Sequence, residues 1–434
     1  MTTAYPAMNV QQLRAEFDAL TERYEGFKRQ NLALNMARGK PAPEQLDLSA
    51  PLLEALPAGS LAPSGRPLDS AGEDTRNYGK LLGIPEARVL MGALLGVPAS
   101  AATSEVLVGG NSSLTLMYDT VARAVLFGVR GFKPWSRLPG VKFLCPAPGY
   151  DRHFAITEGF GIKNIEVPMT PSGPDMDIVE RHVQTDPSVK GIWCVPKYSN
   201  PQGVTYSDET VRRFAALRPA AGDFRIFWDN AYAVHDLEEP GDELLDLRSA
   251  CLEAGNPDLY YMFASTSKIT FAGGGISALA TSPANLTEAA GHLERQSIGP
   301  DKVNQLRHVA FLRDLDGIRE QMRRHAALIA PKFRVVLSTL ERELNGLGIA
   351  RWTQPRGGYF ISFDGLSGTA KRTAELAREA GVVLTGAGAT FPYGSDHHDT
   401  NIRVAPTYPS LEELAVASEL FCVCARKAAL EKLR

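Results

Sequence analysis

Between about residue 75 and residue 300 one pattern recurs: a short apolar or β-branched run, closed at or near its end by Gly, Pro, Asp or Ser, then about twenty to fifty residues before the next. The runs are Glu105–Val108, Val141–Cys145, Ile165–Val167, Gly191–Val195, Phe224–Trp228 and Leu259–Phe263. Strands that far apart are poor hairpin partners, so crossovers, mostly helical, must join them and a largely parallel sheet follows. The fold class is therefore read as α/β: a large domain with a mostly parallel mixed sheet flanked by helices, plus a smaller α+β domain. In such sheets ligands settle beyond the carboxyl ends of the strands, which makes the polar residues closing these runs the first candidates for a site.

The flanking sequence supplies the smaller body. Leu13, Phe17, Leu20, Tyr24 and Phe27 form the stripe of an amphipathic helix, with Asn9 and Gln12 spaced to cap it. Pro-rich stretches at 41–43 and 51–67 exclude long helix and place a boundary near residue 48. A helical region from about 302 to 344 is expected to kink or split at Pro331 and to end at Asn345-Gly346-Leu347-Gly348. Strand, helix, strand, strand and helix then follow at Gly358–Phe363, Ala370–Ala380, Val382–Leu384, Ile402–Ala405 and Ser410–Lys432. The domains expected are 49–309 as the large one, and 1–48 with 310–434 as the small one.

Charge and cysteine usage exclude several function classes. The 46 Lys and Arg against 49 Asp and Glu leave a net charge of −3, which gives no hold on a polyanion, so nucleic acid is not an expected partner. No run approaches the roughly 18 apolar residues of a membrane span, and Glu16, Asp18, Glu22 and Glu25 sit where a secretion signal would be apolar. A cytoplasmic protein with no membrane partner is expected. Cys145, Cys194, Cys251, Cys422 and Cys424 are odd in number and form no CxxC pair, so they read as small buried hydrophobes, with no disulfide framework and no metal site.

Five local signals carry chemistry. Ser265-Thr266-Ser267-Lys268 follows a strand and precedes Gly273-Gly274-Gly275; a lysine there can form a Schiff base if its pKa is lowered, and the hydroxyls can hold a phosphate. In Phe227-Trp228-Asp229-Asn230-Ala231-Tyr232 an apolar strand delivers a carboxylate that must be partnered, by a pyridinium nitrogen for example, or serve as a helix cap. Lys197-Tyr198-Ser199-Asn200-Pro201-Gln202-Gly203 fixes a turn from which Asn200 can offer an amide N–H. Gly109-Gly110-Asn111-Ser112-Ser113 opens a helix whose N-terminus can face an anion, without matching a dinucleotide or Walker loop. Asn401-Ile402-Arg403-Val404-Ala405 sets an arginine in an apolar strand, for a substrate carboxylate or an internal ion pair.

In order and spacing these pieces resemble fold type I aminotransferases, the pyridoxal-phosphate enzymes of the aspartate aminotransferase superfamily. Asn200 to Asp229 is 29 residues, Asp229 to Lys268 is 39 and Lys268 to Arg403 is 135. Tyr78-Gly79 with Gly83-Ile84-Pro85-Glu86-Ala87-Arg88, and Gly357-Gly358-Tyr359-Phe360, are further matches, so that nearly the whole chain takes part. The stretch from Ser265 to Gly275 and the segment Ser297–Lys302 are most similar to the subgroup called class Ic, described as MocR-like.

The resemblance implies pyridoxal 5'-phosphate in the large domain, with Lys268 as Schiff-base lysine and general base moving a proton between the substrate Cα and the ring's C4′ carbon. It implies Asp229 at the pyridinium nitrogen, Tyr232 and Asn200 at the phenolic oxygen, and Tyr150 stacked on the ring. Gly110, Asn111, Ser112, Ser265 and Ser267 would surround the phosphate, joined by Tyr78 from a second subunit of a homodimer with shared active sites. Arg403 would bind the substrate α-carboxylate, helped by Asn200, with Gly39 in an N-terminal segment over the site. Relatives commonly carry an arginine for the phosphate several positions after the lysine, but Ile269–Arg295 holds none before 295, which leaves hydroxyls, N–H groups or a cation from elsewhere. The implied reaction passes an amino group from L-aspartate, or another dicarboxylic amino acid, to 2-oxoglutarate, with Arg38, Arg152, Arg295 and Lys302 as choices for the second carboxylate. Alternatives are an aminotransferase of aromatic or other amino acids, a lyase or decarboxylase using the same cofactor, and, least of all, a MocR-type regulator.

Overall fold

The computed structural model describes residues 4–56 and 65–434, so the middle of the Pro-rich stretch at 51–67 lies outside the described residues. The chain opens with α1 (Val10–Lys28), β1 (Leu34–Asn35) and α2 (Pro43–Asp47), and continues through α3 (Pro85–Leu94) and α4 (Ala99–Glu105). The alternating section is β2 (Val106–Gly109), α5 (Ser113–Phe127), β3 (Lys142–Ala147), α6 (Asp151–Gly159), β4 (Lys163–Thr170), β5 (Gly173–Pro174), α7 (Met176–Thr185) and β6 (Val189–Cys194). It goes on with α8 (Asp208–Ala215), β7 (Arg225–Asp229), α9 (Leu247–Glu253), β8 (Tyr260–Ser265), β9 (Ser277–Thr281) and α10 (Pro283–Gln296). Last come α11 (Lys302–Leu312), α12 (Leu315–Leu344), β10 (Ala350–Trp352), β11 (Ile361–Gly365), α13 (Ala370–Glu379), β12 (Val382–Val383), β13 (Asn401–Val404) and α14 (Leu411–Leu433).

The large sheet has the order β2-β9-β8-β7-β6-β3-β4-β5. Strands β8, β7, β6, β3 and β4 are mutually parallel, as the long crossovers require, whereas β9 runs antiparallel between β2 and β8 and β5 is a short return on β4. Strand β9 was not anticipated. Its sequence, Ser277-Ala278-Leu279-Ala280-Thr281, is wholly buried but almost free of the β-branched and aromatic residues that mark strands, and a run of three glycines precedes it. The smaller sheet is antiparallel, β10-β11-β13, with a separate parallel pair β1-β12.

Helix α1 forms as its pattern predicts: Leu13, Leu20, Tyr24 and Phe27 are buried and Asn9 and Gln12 make a reciprocal capping box. The long helical region does break, but not at Pro331. Arg313 turns into the left-handed region (φ 66°), and Asp314 starts a new helix by accepting from Gly317 N at 2.8 Å. Pro331 sits inside the continuous helix α12; Ala327, the residue whose carbonyl its missing N–H would have met, is exposed, so water can take that bond. Along α12, Ile318 and Met322 pack into the apolar cluster of the large sheet, and residues from Ile329 onward into the cluster around α14. All five cysteines are free and buried. Among the described residues no helix is long and apolar enough to cross a membrane.

A buried polar chain ties these parts together. Gln45 Nε2 lies 3.2 Å from His325 Nδ1 and donates to Tyr359 Oη at 3.0 Å, while Gln321 Nε2 lies 3.2 Å from His325 Nε2 and donates to Ser49 Oγ at 3.1 Å. Burial lowers the His325 pKa from 6.5 to about 4. The folded protein therefore keeps this imidazole neutral while the unfolded chain takes up a proton below about pH 6.5, so its contribution is complete above that pH and is lost on acidification towards pH 4. Between pH 6.5 and pH 4 the unfolding free energy should fall by roughly 3 kcal/mol on account of this residue, and a His325→Asn variant should show a correspondingly shallower decline in denaturant titrations. Parallel declines in the two proteins would contradict this.

Candidate active site

A cleft of about 360 Å³ lies beyond the carboxyl ends of β3, β6, β7 and β8, with β13 of the smaller sheet closing one side. Of the sequence-predicted residues it collects Gly39, Ser112, Tyr150, Asn200, Asp229, Tyr232, Ser265, Ser267, Lys268 and Arg403. A larger groove of about 960 Å³ between residues 236–243 and α12 holds none of them.

Strand β7 runs through the core, so Asp229 at its end is 3% exposed. It ends a strand and is not a helix cap. Its Oδ2 lies 3.0 Å from His153 Nε2, while Oδ1 is buried with no partner. His153 stacks on Trp193 at 4.6 Å between centroids and 13° between planes, and meets Tyr150 edge-on at 4.9 Å. A carboxylate at this depth is costly unless bonded, and since it can only accept, Nε2 is assigned the imidazole proton. The free Oδ1 is left for a donor supplied from the cleft.

Lys268 follows β8 in a tight turn held by Thr266, whose Oγ1 accepts from Ile276 N at 3.0 Å. Its Nζ is 5.1 Å from the Tyr232 ring centroid and 5.7 Å from that of Tyr359. Burial lowers the Lys268 pKa; the charge of Asp229 opposes the shift and Arg403 adds to it. Burial pushes the Tyr232 hydroxyl well up, and pushes Tyr150 up to about 12 with help from Asp229. Both phenols therefore remain protonated donors at neutral pH.

Beside the lysine, Ser265 Oγ donates to Ser267 Oγ at 3.0 Å and Ser267 Oγ to Asn111 O at 2.6 Å, while Asn111 Nδ2 donates to Ala272 O at 3.2 Å. These bonds bind the β2–α5 turn to the lysine loop. Ser112 caps α5 by accepting from Leu114 N at 3.2 Å, so the N-terminus of a 15-residue helix faces the same spot. Gly110 and Asn111 stand beside the cleft and not in its lining; a Cβ on Gly110 would meet nothing within 4 Å, so packing does not require glycine there.

On the opposite side, Arg403 is 7% exposed; its Nη1 donates to Asp151 Oδ1 at 3.1 Å and Asn200 Oδ1 at 3.2 Å, and its Cζ lies 4.7 Å from the Phe360 ring centroid. The internal ion pair is therefore present, and the same side chain lines the cleft. Gly39 passes directly over that phenyl ring, where a Cβ would approach Phe360 Cζ to 2.5 Å. Tyr78 is 78% exposed and lies outside its own chain's cleft. Of the four cations weighed for a second carboxylate, Arg38 and Arg152 line the cleft together with Lys40, whereas Arg295 bonds Gly291 O and Lys302 is buried at the start of α11.

Sequence reading missed His153, Trp193, Asp151 and Phe360 as parts of the site. The first had a usable signal, since His153 stands three residues after Tyr150 and so on the same side of a helix start. Trp193 had none: it is one apolar residue inside an apolar strand.

Comparison with known proteins gives the class that this fold and site define. The chain belongs to the aspartate amino-transferase family, whose model matches residues 8–434, and is a transaminase of fold type I. It is 47% identical over 413 residues to an aspartate aminotransferase of Corynebacterium glutamicum, covering 95% of this chain and 93% of the relative. The crystal structure of an aspartate transaminase from Corynebacterium glutamicum superposes with a TM-score of 0.95 at 44% identity over 100% of both chains. The α-aminoadipate aminotransferase LysN of Thermus thermophilus, solved with N-(5'-phosphopyridoxyl)-L-leucine, shares the fold at 22% identity and a TM-score of 0.70, covering 93% of this chain and 94% of its own.

Because Gly39 rests on the ring that backs Arg403, Gly39→Ala should displace Phe360 and with it the guanidinium. The expected result is a KM for the amino donor raised by about tenfold with the thermal unfolding midpoint little changed. An unchanged KM would show that the ring yields without moving Arg403.

Proposed function

We propose that the protein is a pyridoxal-phosphate-dependent aminotransferase passing the amino group of L-aspartate, or another dicarboxylic amino acid, to 2-oxoglutarate. The observation that carries this reading is the orphaned Asp229 Oδ1, a buried carboxylate oxygen that faces a cleft and lacks a donor. A protonated pyridine nitrogen is such a donor, and the residues present fit the rest of the cofactor. Ser112, Ser265 and Ser267, with the N-terminus of α5, offer hydroxyls and N–H groups to its phosphate, and Gly110 and Asn111 shape the turn. Tyr150 would lie against the ring face, and Tyr232 and Asn200 would donate to its phenolic oxygen. Bound there, the cofactor supplies an electron sink that acidifies the substrate Cα–H.

The chain's own residues do the rest. Asp229, held by His153, keeps a proton at the ring nitrogen. Lys268 Nζ, whose pKa burial lowers, takes the Cα proton and delivers it to the ring's C4′ carbon. Arg403 anchors the α-carboxylate, and its strand position with Phe360 behind it sets where Cα stands relative to Lys268. Arg38, Lys40 and Arg152 give the cleft further positive charge, which favours a substrate with a second carboxylate, and the name of the 47% identical relative agrees. Tyr78, bare on its own chain, suits a role in the neighbouring site of a homodimer. The division into a large domain (49–309) and a small one (1–48 with 310–434) belongs to the same reading, with α12 contributing to both cores. The cytoplasm is the proposed compartment.

The test is Lys268→Ala beside the wild type. With aspartate and 2-oxoglutarate the wild type should form glutamate and oxaloacetate in equal amounts, and the variant should lose both that turnover, by at least a factor of about 10⁴, and the visible absorbance that pyridoxal phosphate gains in the wild type. Full turnover by the variant would refute the assignment, and release of ammonia or carbon dioxide by the wild type would replace transamination by lyase or decarboxylase chemistry.

A further inference from the structure

Arg403 is only half used within the chain. A guanidinium presents five N–H donors in a fixed fork. Both bonds that Arg403 makes within the described residues leave from Nη1, to Asp151 Oδ1 and Asn200 Oδ1, and its Nε is buried without a partner. The donors left over, Nε and Nη2, form one edge of the fork and match the two oxygens of a carboxylate.

Asp151 occupies a special place. It is the first residue of α6, directly after Tyr150, at the carboxyl end of β3, while Arg403 belongs to the smaller sheet. Its side chain is 36% exposed and lines the cleft, whereas the side chain of the arginine it holds is 8% exposed. The pair thus links the residue beside the aromatic platform to the residue that anchors substrate. A hydrogen bond at one corner of a planar fork removes its freedom to swing about the last side-chain torsions.

We propose that Asp151 is a positioning residue for carboxylate recognition: by holding Nη1 it turns the Nε–Nη2 edge of Arg403 toward the incoming α-carboxylate. This rests on the reading of Arg403 given above. The hydrogen bond performs the task, and the negative charge of Asp151 is incidental to it. Three substitutions separate these properties. Asp151→Asn keeps an acceptor oxygen at the same reach without the charge, Asp151→Glu keeps the charge but moves it by one methylene, and Asp151→Ala removes both.

The experiment uses the holoenzyme, with binding of succinate as a non-reacting dicarboxylate measured by calorimetry, and KM and kcat for aspartate measured alongside. Asp151→Ala and Asp151→Glu should weaken succinate binding and raise KM by about tenfold at unchanged kcat, while Asp151→Asn should stay within about threefold of the wild type on both. A slow primary amine without an α-carboxylate should react at the same rate in all four proteins. If Asp151→Ala binds succinate as the wild type does, or if Asp151→Asn and Asp151→Ala both bind it more tightly, the proposal is overturned and Asp151 is a bystander or a competitor. Arg403→Ala separates the anchor from the residue that orients it. Loss of succinate binding there with Asp151→Ala silent overturns this inference alone, whereas a silent Arg403→Ala overturns the assignment of the anchor itself.

Discussion

A carboxylate carried into the core by its own strand is the constraint around which the cleft is arranged. Asp229 follows four buried residues of β7 and arrives with one oxygen against His153 and the other unpartnered. An ion so placed is tolerated only when its neighbours are organised around it. His153 is in turn held by stacking on Trp193, and Tyr150 closes over the imidazole edge. Strands β6 and β7 and the start of helix α6 therefore contribute to the seat of a single oxygen atom.

The sheet order explains how distant parts of the sequence meet there. Parallel strands end on the same side, so the residues after β3, β6, β7 and β8 converge although they span residues 150 to 268. Strand β9, running the other way, brings β2 alongside and so delivers the Ser112 turn next to the lysine loop, where Ser267 bonds Asn111 O. The smaller body contributes through β13, Phe360 and Gly39 on the opposite side. The Ser112, Ser265 and Ser267 hydroxyls thus come from turns at the large sheet and the Arg403 guanidinium from the smaller one, and Lys268 lines the same cleft.

Much of this was legible in the sequence because it depends on short-range rules. Runs of buried residues closed by a polar one located β3, β6, β7 and β8 to within a few residues, and the spacing of five motifs pointed to one family of active site. What escaped reading depends on partners far away in the chain. The serine and alanine content of β9 carries no strand preference, and only its place between β2 and β8 makes it one. The break at Arg313 depends on a positive φ that no residue type announced, whereas Pro331 announced a break that the helix avoids by leaving Ala327 open to water. The chain of Gln45, His325, Gln321 and Ser49 joins residues nearly three hundred positions apart and has no local signature at all.

The proposed chemistry turns on a proton that Asp229 would hold at the ring nitrogen of bound pyridoxal phosphate. The most direct measurement is nitrogen NMR of the holoenzyme loaded with pyridoxal phosphate labelled at that nitrogen, recorded across the neutral pH range in the wild type and in Asp229→Ala. The wild type should give a protonated-pyridine shift throughout that range and the variant an unprotonated one. An unprotonated ring nitrogen in the wild type would contradict the proposed chemistry.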